Sequence, residues 1–390
     1  MKKRHLIQAA FCAALAVSTV GANLAHAEQT FKLTIASSHP VVLPWVGLMS
    51  TLFVPEVNKR VEALGKGYKI EWREAYGGQL YKMNATLTSV EQGVTDIGWV
   101  FHQLEAAKMP LAQFGTVTPF TTDDVRVILD VANEMNEKVP ALKREWERNN
   151  MVFLGATGVD TYHLFTKQPV QTYADLRGRK ISAPGSIGLW LRGSGAVPVD
   201  GSLTSYYTDI QSGVPDGTIS ISTGILPNKI YEVAPYITTA NIGALYIGGM
   251  AMNKDSYAAL PKEVQQIVKD VGKEYSKALG ETLMQRYEGA LKTMAEVGAK
   301  QNPPVKISEL SVAERTKWVQ TMPNLAVDWV KANASKGPAK EIVTTYMNRI
   351  LDSPTANTTT AERSAGFLEA SLTSASGFLH TDVSPITSAS

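Results

Sequence analysis

Past its first 27 residues the chain contains no cysteine; the single one, Cys12, lies in the opening segment. No disulfide can hold the remainder together, so its stability has to come from burial. No later stretch approaches the roughly 20 apolar residues that a membrane-crossing helix needs. There is no internal repeat. The chain carries 38 Lys+Arg against 36 Asp+Glu, and three of the bases, Lys2, Lys3 and Arg4, stand at its very start. Without them the balance is almost neutral, with no basic patch of the kind nucleic acid demands. The common enzyme signatures are missing too: no GxSxG elbow, no phosphate-binding loop and no HExxH. Beyond residue 27 the histidines are His39, His102, His163 and His380, too scattered for a metal site. His102 and Glu105 would stand one helical turn apart, which reads as a solvated surface pair sooner than as ligands. Nothing in the sequence asks for a cofactor or a metal.

What is present begins with a targeting pattern. A basic start, an apolar run over residues 6–20 and the small-x-small tripeptide of Ala25, His26 and Ala27 predict an export signal cleaved after Ala27. The product is expected to be periplasmic, exported and not embedded in a membrane. The remaining chain is longer than one core usually serves, so two domains are expected.

Periodicity supplies the order of elements. Residues 31–35 alternate as a strand, residues 44–64 place Val46, Met49, Phe53, Val57 and Val61 on one helical face, and residues 68–75 alternate again. A helix ending near Glu91 and a strand over 94–100 follow. This β-α-β-α-β order predicts parallel pairing with right-handed crossovers. Residues 123–150 are helix-rich and 151–157 form a strand. A second unit then takes in strands at 162–166, 180–183, 217–221 and 236–239, with a helix near 202–212. Residues 245–252 read as a strand returning to the first unit. A long helix over about 256–300 should brace both. Helices near 312–334 and 339–351 precede a Ser/Thr/Ala-rich tail from residue 353, which is expected to be partly disordered. The boundaries expected are 28–155 plus 245–285 for one domain and 156–244 plus 286–352 for the other.

Residues 169–185, PVQTYADLRGRKISAPG, combine a capped short helix, a strand and a Pro-Gly turn, and should set Ser182 at the mouth of a cleft. Strand ends in two α/β units face one shared crevice, where open sheets bind ligands. Candidate contacts there are His39, Trp45, Trp99, Phe101, Tyr162 and His163. Each also has a packing reading: the tryptophans as core, His39 as a loop cap before Pro40, and Tyr162 or its alternate Leu164 facing inward. Arg192 is either a surface base or the cation that a buried carboxylate would require.

Asp175-Leu176-Arg177-Gly178-Arg179-Lys180-Ile181 resembles the DLKGxKIR-x-P segment of the solute-binding proteins of TRAP (tripartite ATP-independent periplasmic) transporters. Gly78-Gln79-Leu80 followed by residues 91–98, EQGVTDIG, is similar to that family's GQLG…GxxDIG. Residues 211–217, QSGVPDG, and 229–234, KIYEVA, resemble its LQxGxVDG and KxYEVAKY. The segments come in family order over residues 31–350. The resemblance implies a two-domain, type II-like periplasmic binding protein of α/β class, a cleft that closes on a small organic acid, and membrane subunits of a TRAP transporter as partners. It adds Gln79 and Ser220 to the site, with Gly185 and Ser186 offering backbone N–H groups. Where typical members end the KIR strand with a carboxylate-binding arginine, this chain has Ser182.

The missing arginine argues against a C4-dicarboxylate and for a monocarboxylate with an apolar or aromatic body, held by Arg192 or His39. The function expected is therefore a periplasmic receptor, not an enzyme, handing its ligand to an ion-gradient-driven permease. The alternatives are a dicarboxylate or sugar-acid receptor of the same class, a secreted two-domain hydrolase using Ser182 or Ser186, and a ligand-sensing subunit.

Overall fold

The computed structural model describes residues 28–353. The expected export signal over residues 1–27 and the tail beyond Ser353 lie outside the described residues. The chain opens with β1 (Gln29–Ala36), α1 (Pro44–Leu48), a π-helical turn (Met49–Phe53) and α2 (Val54–Ala63), followed by β2 (Tyr68–Ala75), α3 (Thr86–Glu91) and β3 (Ile97–Val100). The third strand starts later than its sequence suggests. Residues 94–96 turn instead, and their side chains replace ladder bonds: Thr95 Oγ1 donates to Thr34 O at 3.0 Å and Asp96 Oδ2 accepts from Thr34 N at 2.7 Å.

Next come α4 (Val125–Lys138), capped by the Asp124 carboxylate, α5 (Pro140–Arg148) with proline at its first position, and β4 (Met151–Val159). The second unit begins with β5 (Tyr162–Thr166), β6 (Lys180–Ala183) and β7 (Val197–Asp200), then α6 (Tyr206–Gln211), β8 (Gly217–Ile221), α7 (Ser222–Ile225) and β9 (Tyr236–Thr239). The short helix expected after Thr172 forms over Tyr173–Leu176 as a 3-10 turn, with a capping box between Thr172 and Asp175. The chain returns through β10 (Leu245–Asn253), α8 (Lys254–Ala258) and α9 (Lys262–Gly298). It closes with β11 (Lys306–Glu309), α10 (Val312–Thr321), α11 (Leu325–Asn333) and α12 (Ala339–Leu351).

Two sheets result. The first runs β2-β1-β3-β10-β4, with β1 parallel to β2 and β3, and β10 antiparallel to both β3 and β4. The second runs β11-β9-β5-β8-β6-β7. Both β7 and β11 escaped the sequence reading, because they are exposed edge strands with no buried face to impose alternation. Prolines divide two expected helices. Pro261 separates α8 from α9, and Pro323 separates α10 from α11.

The segments crossing between the sheets lie side by side. Tyr162 N donates to Gly243 O (3.2 Å), Ile242 N to Tyr162 O (3.1 Å), and Gly243 N to Thr161 Oγ1 (3.0 Å). Asp160 is buried in the middle of this strip. Its carboxylate accepts from Thr223 N at 3.2 Å and from the Thr223 hydroxyl, and burial pushes its pKa up to about 6.

The 37 residues of α9 span about 55 Å at 1.5 Å per residue. The helix packs on α1, α2, α4 and β4 of the first unit and on α7 and β11 of the second. Two glycines set its approach to β4. A Cβ on Gly155 would run into the carbonyl of Gly272, and a Cβ on Gly272 would stand 2.5 Å from Leu154 O. This closeness lets Ser276 Oγ donate to Ala156 O (2.7 Å) while accepting from Asn133 Nδ2 (2.8 Å). The Asn133 amide oxygen in turn accepts from Ala156 N (2.7 Å).

Candidate functional site

The strand ends build a cavity of about 50 Å³ between the two units. On the first unit, the backbone N–H of His39 donates to Ser37 Oγ (3.1 Å), which turns the imidazole inward just after β1. Pro44 opens α1 and places Trp45 in its first turn. Trp99 in β3 and Phe101 just beyond it are two apart, share a strand face, and stack at 5.2 Å. His39 meets Trp99 edge-on at 5.0 Å and Trp45 at 6.1 Å. These four rings form one wall.

The polar ends of that wall are unevenly satisfied. Trp99 Nε1 donates to Thr157 Oγ1 at 2.9 Å. Trp45, only 2 % exposed, has an indole N–H with no protein partner among the described residues. His39 Nδ1 lies 3.0 Å from Ser38 Oγ, and burial alone pushes its pKa down to about 4. The imidazole is therefore neutral at pH 7 in the free protein.

The opposite wall comes from the second unit. Tyr162 starts β5 beside Ile221 of β8 and is held edge-on by Trp190 at 5.1 Å. Burial keeps its hydroxyl un-ionised, with its pKa well above the ordinary tyrosine range. Pro184, Ser202, Leu203, Tyr206, Ser220 and Ile221 complete this side, while Met83, Val159 and Ile247 fill in the first. Among the described residues, no lysine, arginine or carboxylate lines the cavity.

Of the residues expected from the sequence, His39, Trp45, Trp99, Phe101, Tyr162 and Ser220 meet at this cavity. The others do not line it. His163 points to the other side of β5, where Nδ1 accepts from Asn241 N (3.3 Å) and Nε2 sits 3.2 Å from the Tyr287 hydroxyl of α9. Accepting at Nδ1 puts its proton on Nε2, and burial pushes its pKa down to about 3.

Arg192 is exposed. The short 3-10 helix over Gly185–Leu191 spends its inward positions on Trp190, whose Nε1 donates to Thr116 O at 2.7 Å, and on Leu191. The next residue then leaves for solvent and does not line this cavity. Ser182 is 1 % exposed and its hydroxyl is tucked beneath Gly201, behind the cavity wall. It is not at a mouth.

Gln79 is exposed in the loop after β2, beyond Gly77 and Gly78 at φ +71° and +75°. Gly185 instead touches the first unit: a Cβ there would stand 3.2 Å from Gln103 O, and its φ of +51° suits glycine. Ser186 follows it with a buried hydroxyl that has no partner among the described residues. His102 is fully buried against Tyr246, ring centres 4.5 Å apart, so the expected surface pair with Glu105 is corrected.

Sequence reasoning missed Met83, Val159, Pro184, Ser202, Leu203, Tyr206, Ile221 and Ile247. Tyr206 had the clearest available signal, an aromatic in a segment read as helical beside Leu203. The apolar ones look like any core residue until the tertiary fold brings them together. A larger groove of about 440 Å³ lies elsewhere, along the β4 edge between α5 and α9. Its rim lysines are partly paired, Lys143 with Glu147 at 3.8 Å and Lys273 with Glu137. It sits outside the inter-unit cleft, and we take the aromatic cavity as the candidate site.

The comparisons agree with this architecture. Residues 54–332 match bacterial extracellular solute-binding protein family 7, the DctP family. A solute-binding protein of Sulfitobacter sp. (strain NAS-14.1) is 30 % identical over 155 residues, 39 % of this chain, and the match spans just under half (46 %) of that relative. Among solved structures, a TRAP solute-binding protein from a marine metagenome, from an unidentified microbe, is 22 % identical at a TM-score of 0.70, covering 83 % of this chain and 98 % of that one. It is described as specific for aromatic acid ligands and was co-crystallised with 3-hydroxybenzoate. A Sulfitobacter sp. NAS-14.1 TRAP protein with bound β-D-galacturonate is 20 % identical at a TM-score of 0.66, covering 81 % and 99 %. These relatives are solute-binding receptors rather than enzymes, and no helix among the described residues is long and apolar enough to cross a membrane. Both the fold and the matched stretch lead to one statement: the chain belongs to bacterial extracellular solute-binding protein family 7, the DctP family.

Proposed function

We propose that the protein captures a small aromatic or apolar monocarboxylate by closure of its two units, and delivers it to the membrane subunits of a TRAP transporter driven by an ion gradient. The observation that carries this is the composition of the cavity. Four rings on one side face Tyr162 on the other, and no fixed cation lies among them. Aromatic faces bury an apolar ring favourably in offset or edge-on contact. The unpartnered Trp45 N–H and the Tyr162 hydroxyl can donate to one carboxylate. A diacid would bury a second charge with nothing to meet it, at a cost of several kcal/mol. A sugar acid would meet the hydroxyls of Tyr162, Ser202, Tyr206 and Ser220 on one side only, since the wall of the first unit is indole, phenyl, imidazole and aliphatic carbon.

In this reading the hinge is the strip around residues 159–162 and 242–245, the domain boundaries follow it, and export through the signal over residues 1–27 places the receptor in the periplasm. A cavity of about 50 Å³ holds little more than a water or two, so a ring-sized ligand requires the units to part. A thermal-shift series with benzoate, 3-hydroxybenzoate, succinate and galacturonate, together with mass spectrometry of any co-purified ligand, tests the reading. Aromatic acids are expected to raise the melting temperature. A shift confined to succinate or galacturonate would overturn it.

A further inference from the structure

A buried carboxylate needs a positive partner, and the usual side chains for that role are absent from this cavity. We propose, resting on the aromatic-monocarboxylate reading above, that the ligand binds together with one proton, which His39 takes up, so that an imidazolium–carboxylate pair forms inside the closed cleft. The atoms balance simply: neutral imidazole, one solvent proton and the carboxylate anion give a pair with no net charge.

The surroundings of His39 suit both of its protonation states. Its partner at Nδ1 is the Ser38 hydroxyl, at 3.0 Å, which can donate to a bare nitrogen or rotate and accept from a protonated one. Nε2 makes no hydrogen bond to the described residues and is left for the ligand. Trp99, edge-on with ring centres 5.0 Å apart, lies within the distance over which an indole attracts a cation. An imidazolium thus has a hydroxyl, a tryptophan and a carboxylate around it, whereas in the free protein it has lost water and gained no anion.

The charges nearest His39 stand outside the cavity: exposed Lys82 donates to Gly78 O at 3.2 Å and exposed Arg286 of α9 to Val42 O at 2.8 Å, and burial alone shifts the imidazole. Neither α1 nor β3 carries a titratable group, and β5, α6 and α9 bring the hydroxyls of Tyr162, Tyr206 and Tyr275, which burial keeps un-ionised. At the end of β2, Glu74 is exposed and acts on Tyr76. Asp160, two residues before Tyr162, is turned toward Thr223. Burial alone holds the free imidazole at about 4, so at neutral pH the proton has to come from solvent upon binding.

Titration calorimetry of the full protein with 3-hydroxybenzoate, in buffers of different ionisation enthalpy, reads the proton count directly. The expectation is about one proton taken up per ligand near pH 7, with affinity falling about tenfold for each pH unit gained. His39→Gln, which hydrogen-bonds but cannot become charged, should abolish the uptake and weaken binding at least tenfold. Uptake near zero in the wild type, or uptake that persists in His39→Gln, overturns the proposal while leaving the aromatic-acid reading standing. Failure of every aromatic acid to bind at any pH, with succinate or galacturonate binding, removes that reading and this inference with it. The wild-type buffer series decides the matter even if the variant does not fold.

Discussion

Glycine at two positions of α9 should respond in opposite ways to the same substitution. Gly289 is exposed, and a Cβ added there meets nothing within 4 Å. Gly289→Ala therefore gains only the helix-propensity difference, a stabilisation of about 1 kcal/mol. Gly272→Ala gains the same propensity but places a methyl group 2.5 Å from Leu154 O, a backbone atom of strand β4. Contacts under 3.0 Å essentially do not occur for real Cβ atoms, so helix and strand must part by about 0.5 Å. Overpacking of that kind costs about 1–3 kcal/mol. The shift also stretches the bonds of Ser276 to Ala156 and Asn133, each contributing about 1 kcal/mol. The net expectation for Gly272→Ala is a loss of about 1–3 kcal/mol against a gain of about 1 for Gly289→Ala. Urea denaturation followed by circular dichroism measures both, and an unchanged denaturant slope would show that the midpoint shift is a stability change. If Gly272→Ala stabilised the protein as much as Gly289→Ala does, the close helix–strand contact would not exist as described.

Asp160 gives a pH test. Its folded pKa, raised to about 6, exceeds the ordinary value of 3.8, so its contribution to stability is complete below the ordinary carboxylate range and is lost as pH rises through about 6. The difference corresponds to about 3 kcal/mol. Asp160→Asn should flatten the stability–pH profile between about pH 4 and 6, and an unaltered slope would show that the charge is accommodated after all; Glu145, raised to about 7, carries the remaining slope in the same direction. Arg192→Ala should change ligand affinity by no more than about twofold, because the guanidinium is exposed away from the cavity. A tenfold loss by calorimetry would bring it back as the anchor.

The sequence displayed the scaffold well where burial is one-sided or turn chemistry is strong. The strand at residues 68–75 and the short helix capped at Thr172 emerge where expected, and so does the strand at 162–166, although it is buried on both faces. Local pattern failed at edges and in the cleft. Neither β7 nor β11 carries a buried face, so neither leaves a trace in hydropathy. The cavity is a contrast case. Trp99 and Tyr162 were identifiable because aromatic residues at strand ends are conspicuous, and Trp45 because it opens the first helix, whereas Val159, Ile221 and Ile247 look like core until two sheets converge. Ser182 and Arg192 stand apart from the cavity for different reasons: Ser182 in β6 is tucked beneath Gly201, and Arg192 leaves the end of the short 3-10 helix for solvent, which a linear motif does not reveal.

The two crossing segments, laced to each other by Tyr162, Ile242 and Gly243, have a mechanical consequence. Separate strands could twist and slide independently, whereas a pair bonded edge to edge flexes as a single plate with one easy direction. In the proposed reading, with α9 also packed on both units, the opening of the cleft would follow chiefly one angle. A ligand's thickness would then set that angle, and a partner resting on both units at once would sense it without ever touching the ligand.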